Sequence, residues 1–245
     1  MQLATCRTGK TFILYDADSV CDAEPAPQIG PRLFDPEHWR RAGNVLGEAP
    51  GRGSSLFLDA GREQWVLRPY RRGGLIARLS ESRYLWTGLE RTRAFRELRL
   101  TAHLHALGLP VPRPVAAAVT RAGPTYTAAL ITVRIPGAGA LAECLAECLA
   151  ECLAEAEPAL LERVGATIRR FHAAGLDHVD LNARNLLIDR TGKVWLIDLD
   201  RCRLRAPGGW QEDNLARLGR SLAKFAAPAE AMSAIRRGYA SDDAG

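Results

Sequence analysis

The chain has 245 residues, of which 47% are hydrophobic and 25% charged, a composition typical of a globular protein that can bury a core as one domain or two small lobes. No apolar run approaches the length of a membrane-spanning helix, and charged residues interrupt the N-terminal segment, so we expect neither a membrane span nor a signal peptide. The formal net charge is +5, and only three of the 33 basic residues are lysine, which favours an anionic partner such as nucleic acid, anionic lipid or an acidic substrate.

The first part of the chain predicts a small amount of β-structure and one short helix. Thr11–Tyr15 has the composition of an edge strand, and residues 16–32 are rich in loop-forming Asp, Pro and Gly. Asp35 is a good N-cap residue, and Pro36 is favoured at the first helical position, so we expect a short helix there.

A glycine-rich turn at residues 47–55 precedes two strand-like runs, at 56–59 and 64–68. A turn of this kind can place backbone N–H groups over phosphates, and Gly51 and Gly53 are the residues we assign to that role. Because glycine-rich hairpins are also common as plain structural turns, the motif predicts phosphate binding only in combination with others.

An arginine-rich segment, residues 68–99, leads into the next predicted elements. Its nine arginines are Arg68, Arg71, Arg72, Arg78, Arg83, Arg91, Arg93, Arg96 and Arg99. Apolar spacing predicts a helix over 92–107, and two strands follow at 115–119 and 126–133. Residues 135–139 are rich in Gly and Pro and have the character of an interlobe hinge.

Residues 142–153 contain three copies of Ala-Glu-Cys-Leu, and these hold three of the six cysteines. On a helix the cysteines would form a stripe that could bind a soft metal, or the segment could be an expanded low-complexity helix without chemistry, which we favour. Since no disulfide framework is visible, we expect a reducing, cytosolic compartment. A further helix is predicted from Pro158 to Gly175.

The strongest chemical pattern begins at His178, with Asp180 and Asn185 five residues apart on a predicted loop. A predicted hairpin at 186–197 follows and ends at Asp198. This layout is typical of a phosphoryl-transfer site: Asp180 would accept the proton of the attacking hydroxyl, while Asn185 and Asp198 would hold Mg²⁺ against ATP. His178 is expected to order the loop by hydrogen bonding.

Two expectations concern the residues after this motif. Asp200 would help a second metal ion or orient a nearby arginine, and a basic loop follows it. Asn214 is predicted to cap a helix whose apolar face carries Leu215, Leu218 and Leu222.

A kinase site also needs a cation for the phosphates, usually a lysine held by a helical glutamate. No lysine occurs between residues 10 and 193, so Arg68, at the end of a predicted strand, would have to fill this role. Glu97, on the following helix, is its expected partner, and the alternative is that it is an ordinary exposed acid. The alternative for the whole motif is a set of turn carboxylates on an unrelated α/β fold.

Together the motifs resemble the bacterial 3-deoxy-D-manno-octulosonic acid (Kdo) kinases of the lipopolysaccharide kinase group. The matching stretches, between about residues 33 and 224, are Leu33–Pro36, Gly51–Gly53, Leu67–Gly74, Ser82–Gly88, Arg91–Glu97, Gly108–Pro114, Ile131–Gly137, His178–Asn185 and Val194–Arg201. The resemblance implies an α+β, protein-kinase-like, two-lobed fold, with a β-rich N-terminal lobe at 1–134 and a mainly helical C-terminal lobe at 135–245. It also implies phosphorylation of a Kdo hydroxyl, commonly O-4, with ATP and Mg²⁺.

The implied acceptor is an anionic Kdo-lipid A precursor, which suits the arginine-rich segment. We therefore expect peripheral contact with the cytoplasmic face of the inner membrane and no nucleic-acid partner. The sequence offers four apolar residues for that contact, all of which could instead pack in the core: Leu75, Ile76, Leu85 and Trp86. It does not indicate an oligomeric state.

Two other functions are compatible with parts of the pattern. Another kinase of the same fold, such as an aminoglycoside-type phosphotransferase, would need an acidic acceptor surface, which the arginine-rich segment does not provide. A basic pseudokinase scaffold or RNA-binding module would explain the absent lysine. The intact set of Asp180, Asn185 and Asp198 argues against a loss of catalysis.

Overall fold

A computed structural model describes residues 1–18, 29–49, 55–70, 83–145, 157–225, 227 and 230–241. The chain divides into two compact units: the first comprises Met1–Ala106 and Pro112–Arg134, and the second comprises Leu107–Val111 and Ile135–Gly245. Within the described ranges, no helix is both long and apolar enough to cross a membrane. The sequence expectations for Gly51, Gly53, residues 71–82 and the repeat beyond residue 145 lie outside the described residues.

An antiparallel sheet of eight strands forms the centre of the first unit. Its strands are β1 (Leu3–Thr8), β2 (Thr11–Asp16), β3 (Val45–Glu48), β4 (Leu56–Asp59), β5 (Gln64–Pro69), β6 (Tyr84–Leu85), β7 (Pro114–Ala122) and β8 (Thr125–Val133). The order across the sheet is β1-β2-β7-β8-β5-β4-β3, and β6 pairs with β8. The predicted strands at 56–59, 64–68, 115–119 and 126–133 are therefore confirmed.

The expectation of an edge strand at Thr11–Tyr15 is wrong in its position. Strand β2 pairs with β1 on one side and with β7 on the other, so β1 forms the edge. Strand β1 was not predicted because its side chains are exposed or only half-buried, as expected of an edge strand, and so show no alternating apolar pattern.

Each face of this sheet is covered by its own helical element. Successive side chains of a strand point to opposite faces, so Ile13 packs in one core cluster and its neighbour Leu14 in the other. The Ile13 face is covered by a 3₁₀ turn (Pro31–Phe34) and helix α1 (Pro36–Arg41), through Leu33 and Trp39. The Leu14 face is covered by helix α2 (Arg93–Ala106), which contributes Ala94, Phe95 and Leu98.

The first helix of this unit begins where it was predicted, and the second begins and ends close to its predicted residues. The side chain of Asp35 accepts a hydrogen bond of 3.0 Å from the backbone N–H of Glu37, and Pro36 occupies the first turn, as expected. Residues 92–107 were predicted for the second helix, and α2 covers 93–106.

In its described part, the second unit combines two short sheets with a helical segment at residues 141–145 and three longer helices. The strands are β9 (Gly139–Ala140), β10 (Leu176–Asp177), β11 (Leu186–Ile188), β12 (Val194–Leu196) and β13 (Arg203–Leu204); the helices are α3 (Glu157–Ala173), α4 (Trp210–Lys224) and α5 (Ala231–Ala240). The hairpin of β11 and β12 is confirmed, and β9 extends it on the side of β11. Strand β10 pairs with β13.

Helices α3 and α5 cross with their backbones in direct contact. A Cβ atom added to Gly165 would lie 2.0 Å from the carbonyl oxygen of Ile235, and one added to Gly238 would lie 1.9 Å from that of Glu162. These distances are far below van der Waals contact, so only glycine fits at either position. Near the C-terminal end of α3, the buried His172 packs edge-to-face against Trp210 and Tyr239.

The prediction that Asn214 caps a helix is wrong. Helix α4 begins at Trp210, one turn earlier, and Asn214 is a buried residue inside it. Asparagine is common at N-caps because its side chain competes for backbone groups. Here the Asn214 side chain donates to the carbonyl oxygen of Trp210 in its own helix and also contacts His178 and Asp177 outside it.

Candidate active site

The loop between β10 and β11 holds Asp180 and Asn185, and two amide side chains fix its shape. Both Asn182 and Asn185 donate from Nδ2 to the carbonyl oxygen of Asp180, each over 2.9 Å. Asn182 Oδ1 in turn accepts from the backbone N–H of Arg184. These bonds use the backbone of Asp180, and its carboxylate remains on an exposed residue.

Asp198 directly follows the hairpin and is joined to the same loop. The backbone N–H of Ile197 donates to the carbonyl oxygen of Asn185 over 3.0 Å, which brings the residue before Asp198 against the end of the loop. Asp198 itself has a φ of 60°, in the left-handed region that non-glycine residues adopt only when the surrounding structure enforces it. The loop and the hairpin therefore form one site.

His178 ties the start of the loop to the hairpin through its ring. Its Nε2 lies 3.0 Å from the carbonyl oxygen of Ile197, and a carbonyl can only accept, so Nε2 carries the proton. Burial lowers the pKa of His178, which keeps the ring neutral. Nδ1 is buried and has no hydrogen-bond partner within the described residues. The ring thus has the loop-ordering geometry expected from the sequence.

Asn214 on α4 and Asp177 on β10 support the start of the loop, and neither was assigned this role from the sequence. Asn214 is 1% exposed; its Oδ1 accepts from the backbone N–H of His178 over 2.9 Å, and its Nδ2 donates to Asp177 over 3.1 Å. Arg203 and Arg205 donate to the other oxygen of Asp177. The usable signal was the pair of arginines two residues apart after Asp200, which need a nearby carboxylate.

The Asp177 carboxylate is ionised in this arrangement. Burial alone would raise the pKa of Asp177, but hydrogen bonds from Asn214, Arg205 and Arg203 outweigh it and hold the pKa below its usual value. A fixed negative charge therefore anchors both β13 and α4 to the residue that precedes His178.

Asn185 and Asp198 are the residues of this site that could hold a divalent cation. Because Asn185 Nδ2 is bonded to Asp180, its Oδ1 is the atom left to act as a ligand. An amide oxygen and a carboxylate are the hard oxygen ligands that Mg²⁺ prefers. No group of three His, Cys, Asp or Glu side chains with metal-binding geometry occurs in the described part of the chain. Mg²⁺ usually combines one or two protein ligands with phosphate and water oxygens, so Asn185 and Asp198 together would suffice on the protein side.

Asp200 lies two residues beyond Asp198 and is half-buried. One of its carboxylate oxygens is 3.9 Å from Nε of Arg201, a residue that also has a left-handed φ, of 61°. From the sequence, Asp200 was expected either to help a second metal ion or to orient a nearby arginine. The contact with Arg201 bears on the second of these roles.

In the first unit, Arg68 on β5 forms an ion pair with Glu97 on α2. The hydroxyl of Tyr70 donates to the other oxygen of Glu97, and the guanidinium of Arg68 lies 5.2 Å from the centre of the Tyr70 ring. Glu97 is only 3% exposed, so it is not an ordinary surface acid. Tyr70 completes the group and was not singled out from the sequence, although it stands two residues after Arg68.

Some side chains of the arginine-rich segment make contacts within the first unit. The guanidinium of Arg93 lies 4.9 Å from the centre of the Tyr84 ring, and Arg99 is ion-paired with Glu90 over 2.8 Å. Arg91 and Arg96 are exposed. Among the described arginines of this segment, these two and the exposed Arg83 are thus the more accessible to a ligand.

Comparison with known proteins gives an independent result. Residues 36–239 match the family described as "Lipopolysaccharide kinase (Kdo/WaaP) family". The chain is similar to proteins named 3-deoxy-D-manno-octulosonic acid kinase: it is 45% identical over 226 residues to that of Stenotrophomonas maltophilia strain K279a, with 91% of this chain and 85% of the relative covered. Identity to the protein of Xanthomonas campestris pv. campestris strain B100 is 47%, with the same coverage.

Further relatives agree in sequence and in fold. The protein of the same name from Xylella fastidiosa strain M23 is 45% identical over 205 residues, which cover 83% of this chain and 79% of the relative. A solved structure, "WaaP in complex with acyl carrier protein", aligns with a TM-score of 0.53 at 18% identity and covers 86% of each chain. The fold is therefore the expected protein-kinase-like one, with a β-sheet unit followed by a unit that holds most of the helices. On the match over most of its length, this chain belongs to the lipopolysaccharide kinase (Kdo/WaaP) family.

Proposed function

We propose that this enzyme transfers a phosphoryl group from ATP to a hydroxyl of Kdo on a lipid A precursor, during synthesis of the lipopolysaccharide core. O-4 is the hydroxyl we expect to be phosphorylated. The observation that carries the proposal is the joined loop and hairpin, which present Asp180, Asn185 and Asp198 together. The relatives named Kdo kinase, 45–47% identical to this chain, support Kdo as the acceptor.

In this proposal Asp180 orients the acceptor hydroxyl and accepts its proton as the oxygen attacks phosphorus. The two amides bonded to its carbonyl oxygen keep the carboxylate in place without using the carboxylate oxygens. Asn185 Oδ1 and the Asp198 carboxylate would hold Mg²⁺. When bound, the metal ion neutralises negative charge that develops on the phosphate oxygens.

Arg68 would contact the phosphates of ATP in place of the usual lysine. A guanidinium can donate to Glu97 and still have N–H groups for a phosphate, because it carries five donors in a planar fork. Tyr70 and Glu97 would hold it in position. We assign nucleotide binding, including Gly51 and Gly53, to an N-terminal lobe of residues 1–134, and the catalytic loop to a C-terminal lobe of residues 135–245.

We also propose that the enzyme acts at the cytoplasmic face of the inner membrane of a Gram-negative bacterium, where a lipid-anchored acceptor is found. Exposed Arg91 and Arg96 suit an acceptor that carries carboxylate and phosphate groups. Of the apolar residues considered for membrane contact, Leu85 is exposed and Trp86 is half-buried. A nucleic-acid partner is not part of this proposal.

The test is acceptor specificity. Purified enzyme, ATP and Mg²⁺ are incubated in detergent with Kdo-lipid IVA, with lipid IVA lacking Kdo, or with an aminoglycoside, and the products are identified by mass spectrometry and NMR. We expect a single phosphate on Kdo and none on the other two acceptors. Transfer to Kdo-free acceptors at an equal rate, or no transfer to Kdo-lipid IVA by folded enzyme, would contradict the proposal.

A further inference from the structure

Two turns and a short strand meet at one end of the sheet in the first unit. The β1–β2 turn contains Lys10, whose carbonyl oxygen accepts a 3.0 Å hydrogen bond from the backbone N–H of Arg121 at the end of β7. Strand β6 adds to the other side, and the N–H of Trp86 just after it donates to the carbonyl oxygen of Pro124 over 2.8 Å. These bonds make the three segments one continuous surface.

Both turns carry the same three-residue pattern, arginine, any residue, glycine. Nε of Arg7 donates to the carbonyl oxygen of Gly9 over 3.0 Å, and Nε of Arg121 donates to that of Gly123 over 3.1 Å. The glycines have φ of 60° and 61°, the left-handed conformation that lets each turn fold back on its arginine. Since the bonds use Nε, the terminal amino groups of both exposed arginines remain for an external acceptor.

Aromatic rings hold the two guanidinium groups. The Cζ atom of Arg7 lies 5.0 Å from the centre of the Phe12 ring, and that of Arg121 lies 4.9 Å from the Trp86 ring. The two rings are themselves 6.0 Å apart. A cation fixed over a ring loses less conformational freedom when it binds an anion than a free side chain does. The cations are thus set in place before any ligand arrives.

Between the turns lies a surface depression of about 320 Å³. Its lining consists of Arg7, Lys10, Phe12, Arg121 and Gly123, which include three cations and no acid. Three positive charges around one concavity favour a phosphate-type anion.

The rim of this surface is apolar. Leu85 is 70% exposed, more than any other large hydrophobic side chain in the described part of the chain. It neighbours Trp86, which is half-buried under Arg121. An exposed aliphatic side chain beside cations held on aromatic rings is the composition of a surface that lies at a membrane interface.

We propose that this surface, formed by Arg7, Lys10, Phe12, Leu85, Trp86 and Arg121, binds the phosphate groups of anionic phospholipids and thereby places the end of the sheet on the membrane. It rests on the membrane location in the proposed function and assigns that contact to particular residues. Single-stranded nucleic acid fits less well, because bases need exposed aromatic faces to stack on. Here the faces of Phe12 and Trp86 are occupied by guanidinium groups, and the exposed side chain is a leucine.

The surface lies away from the Arg68–Glu97 pair. Arg68 pairs across the sheet with Leu130, whereas the surface is built around Thr125 at the start of the same strand. Five residues of β-strand span about 17 Å. Substitutions in the surface should therefore leave the proposed nucleotide contacts unchanged.

The test is sedimentation of the full-length protein with vesicles of phosphatidylcholine alone or mixed with phosphatidylglycerol. We expect wild type to bind only the anionic vesicles. Replacing Arg7, Lys10 and Arg121 by alanine should weaken that binding on the order of 100-fold, since each basic side chain near an anionic surface contributes roughly fivefold. Leu85→Ser should weaken it several-fold without a change of charge. A matched control removes two exposed arginines and one exposed lysine elsewhere, Arg41, Arg220 and Lys224, and should bind almost as wild type does.

Each other outcome overturns the assignment. Equal loss in the control variant would show attraction by net charge alone. Binding of wild type to soluble RNA or to an acidic protein, with no binding to vesicles, would assign the surface to another partner. Full competition by inorganic phosphate would indicate a site for the free ion. Phosphoryl transfer to detergent-dispersed acceptor is measured in parallel and should be unchanged in the triple variant, so a failure of the proposed kinase activity would be seen separately.

Discussion

At the scale of single residues, the least usual feature of the proposed site is Arg68, to which we assign the role that a lysine normally has in a kinase. Arg68 is ion-paired with Glu97, and its guanidinium lies 5.2 Å from the centre of the Tyr70 ring. Because a guanidinium carries five N–H donors, an arginine at this position can form the ion pair with Glu97 and also contact phosphate. Tyr70, two residues further along the chain, would support the longer side chain.

The arginine can be tested by substitution. Arg68→Ala should raise the KM for ATP about tenfold or more, because the charge-assisted bonds to phosphate are lost. Arg68→Lys should recover only part of the loss, since a lysine offers one charged centre in place of a planar fork. Steady-state kinetics with Arg41→Ala as control measure the effect. Normal ATP affinity and turnover in Arg68→Ala would remove the role we propose.

A second prediction at the scale of residues concerns Asn214, which supports the loop through its contacts with His178 and Asp177. Asn214→Ala leaves the buried N–H of His178 without its acceptor, so we expect a loss of about 1–3 kcal/mol in the free energy of unfolding. If Asn214 positions the loop, kcat should fall while the KM values change little. A purely structural residue would lower stability without this split between kcat and KM.

The contact between Asn214 and Asp177 can also be tested by exchanging the two residue types. In the single variant Asn214→Asp, two carboxylates would face each other. Adding Asp177→Asn places an amide opposite a carboxylate again, with the two positions exchanged. We expect the double variant to be more stable in urea unfolding than the sum of the two single changes predicts. Simple additivity would argue against direct coupling of the two side chains.

At the scale of elements, the α3–α5 contact depends on two glycines. Gly165→Ala would force a methyl group into the backbone of α5, so we expect destabilisation of about 3 kcal/mol or more. Gly219 on α4 is a matched control: a Cβ there meets Met232 at ordinary distances of 3.6–3.7 Å. Gly219→Ala should be neutral or stabilising by up to about 1 kcal/mol, since alanine is the better helix former. Similar thermal stability of the two variants would contradict the described crossing.

Elements with strong periodicity were predictable from the sequence, and their boundaries were close. The helices at 93–106 and 157–173 and the β11–β12 hairpin carry apolar spacing or turn residues that leave few alternatives. Strand β1 was missed because an exposed edge strand has no buried face to give alternation. The α4 start was misplaced because the preference of asparagine for N-caps was read without its tertiary partner, Asp177.

The same division holds for the candidate site. Spacing in the sequence was enough to propose three site residues, because the loop that separates Asp180 from Asn185 and the hairpin that leads to Asp198 are short segments of predictable structure. Tyr70, Asp177 and Asn214 could not be proposed in this way, because their contacts join residues 27–37 positions apart in sequence. Such supporting contacts are visible only once the fold brings the segments together.

At the scale of the whole molecule, buried neutral histidines should make stability depend on pH. Burial lowers the pKa of His172 to about 4, from 6.5 in the unfolded chain, so below pH 6.5 the unfolded state binds the proton first. The stabilisation is therefore complete above pH 6.5 and is lost as the pH falls towards 4. His172 alone should lower the free energy of unfolding by about 2 kcal/mol between pH 8 and pH 5.

Urea unfolding at a series of pH values measures this, with His172→Phe for comparison. The phenyl ring keeps the edge-to-face contacts with Trp210 and Tyr239 but cannot be protonated. The variant should show a flatter profile between pH 6.5 and 4, with a remaining slope because the pKa of His178 is also lowered by burial. An unchanged slope would mean that His172 is not the group responsible.

The central claim, that the loop and hairpin carry out phosphoryl transfer, is tested most directly at Asp180. The measurement is the single-turnover rate of phosphate transfer from ATP to Kdo-lipid IVA by wild type, Asp180→Asn and, as control, Asp213→Asn at an exposed position on α4. Loss of the proton acceptor should slow transfer about 100-fold or more, while the control stays close to wild type. Wild-type rates in a folded Asp180→Asn variant would contradict the account.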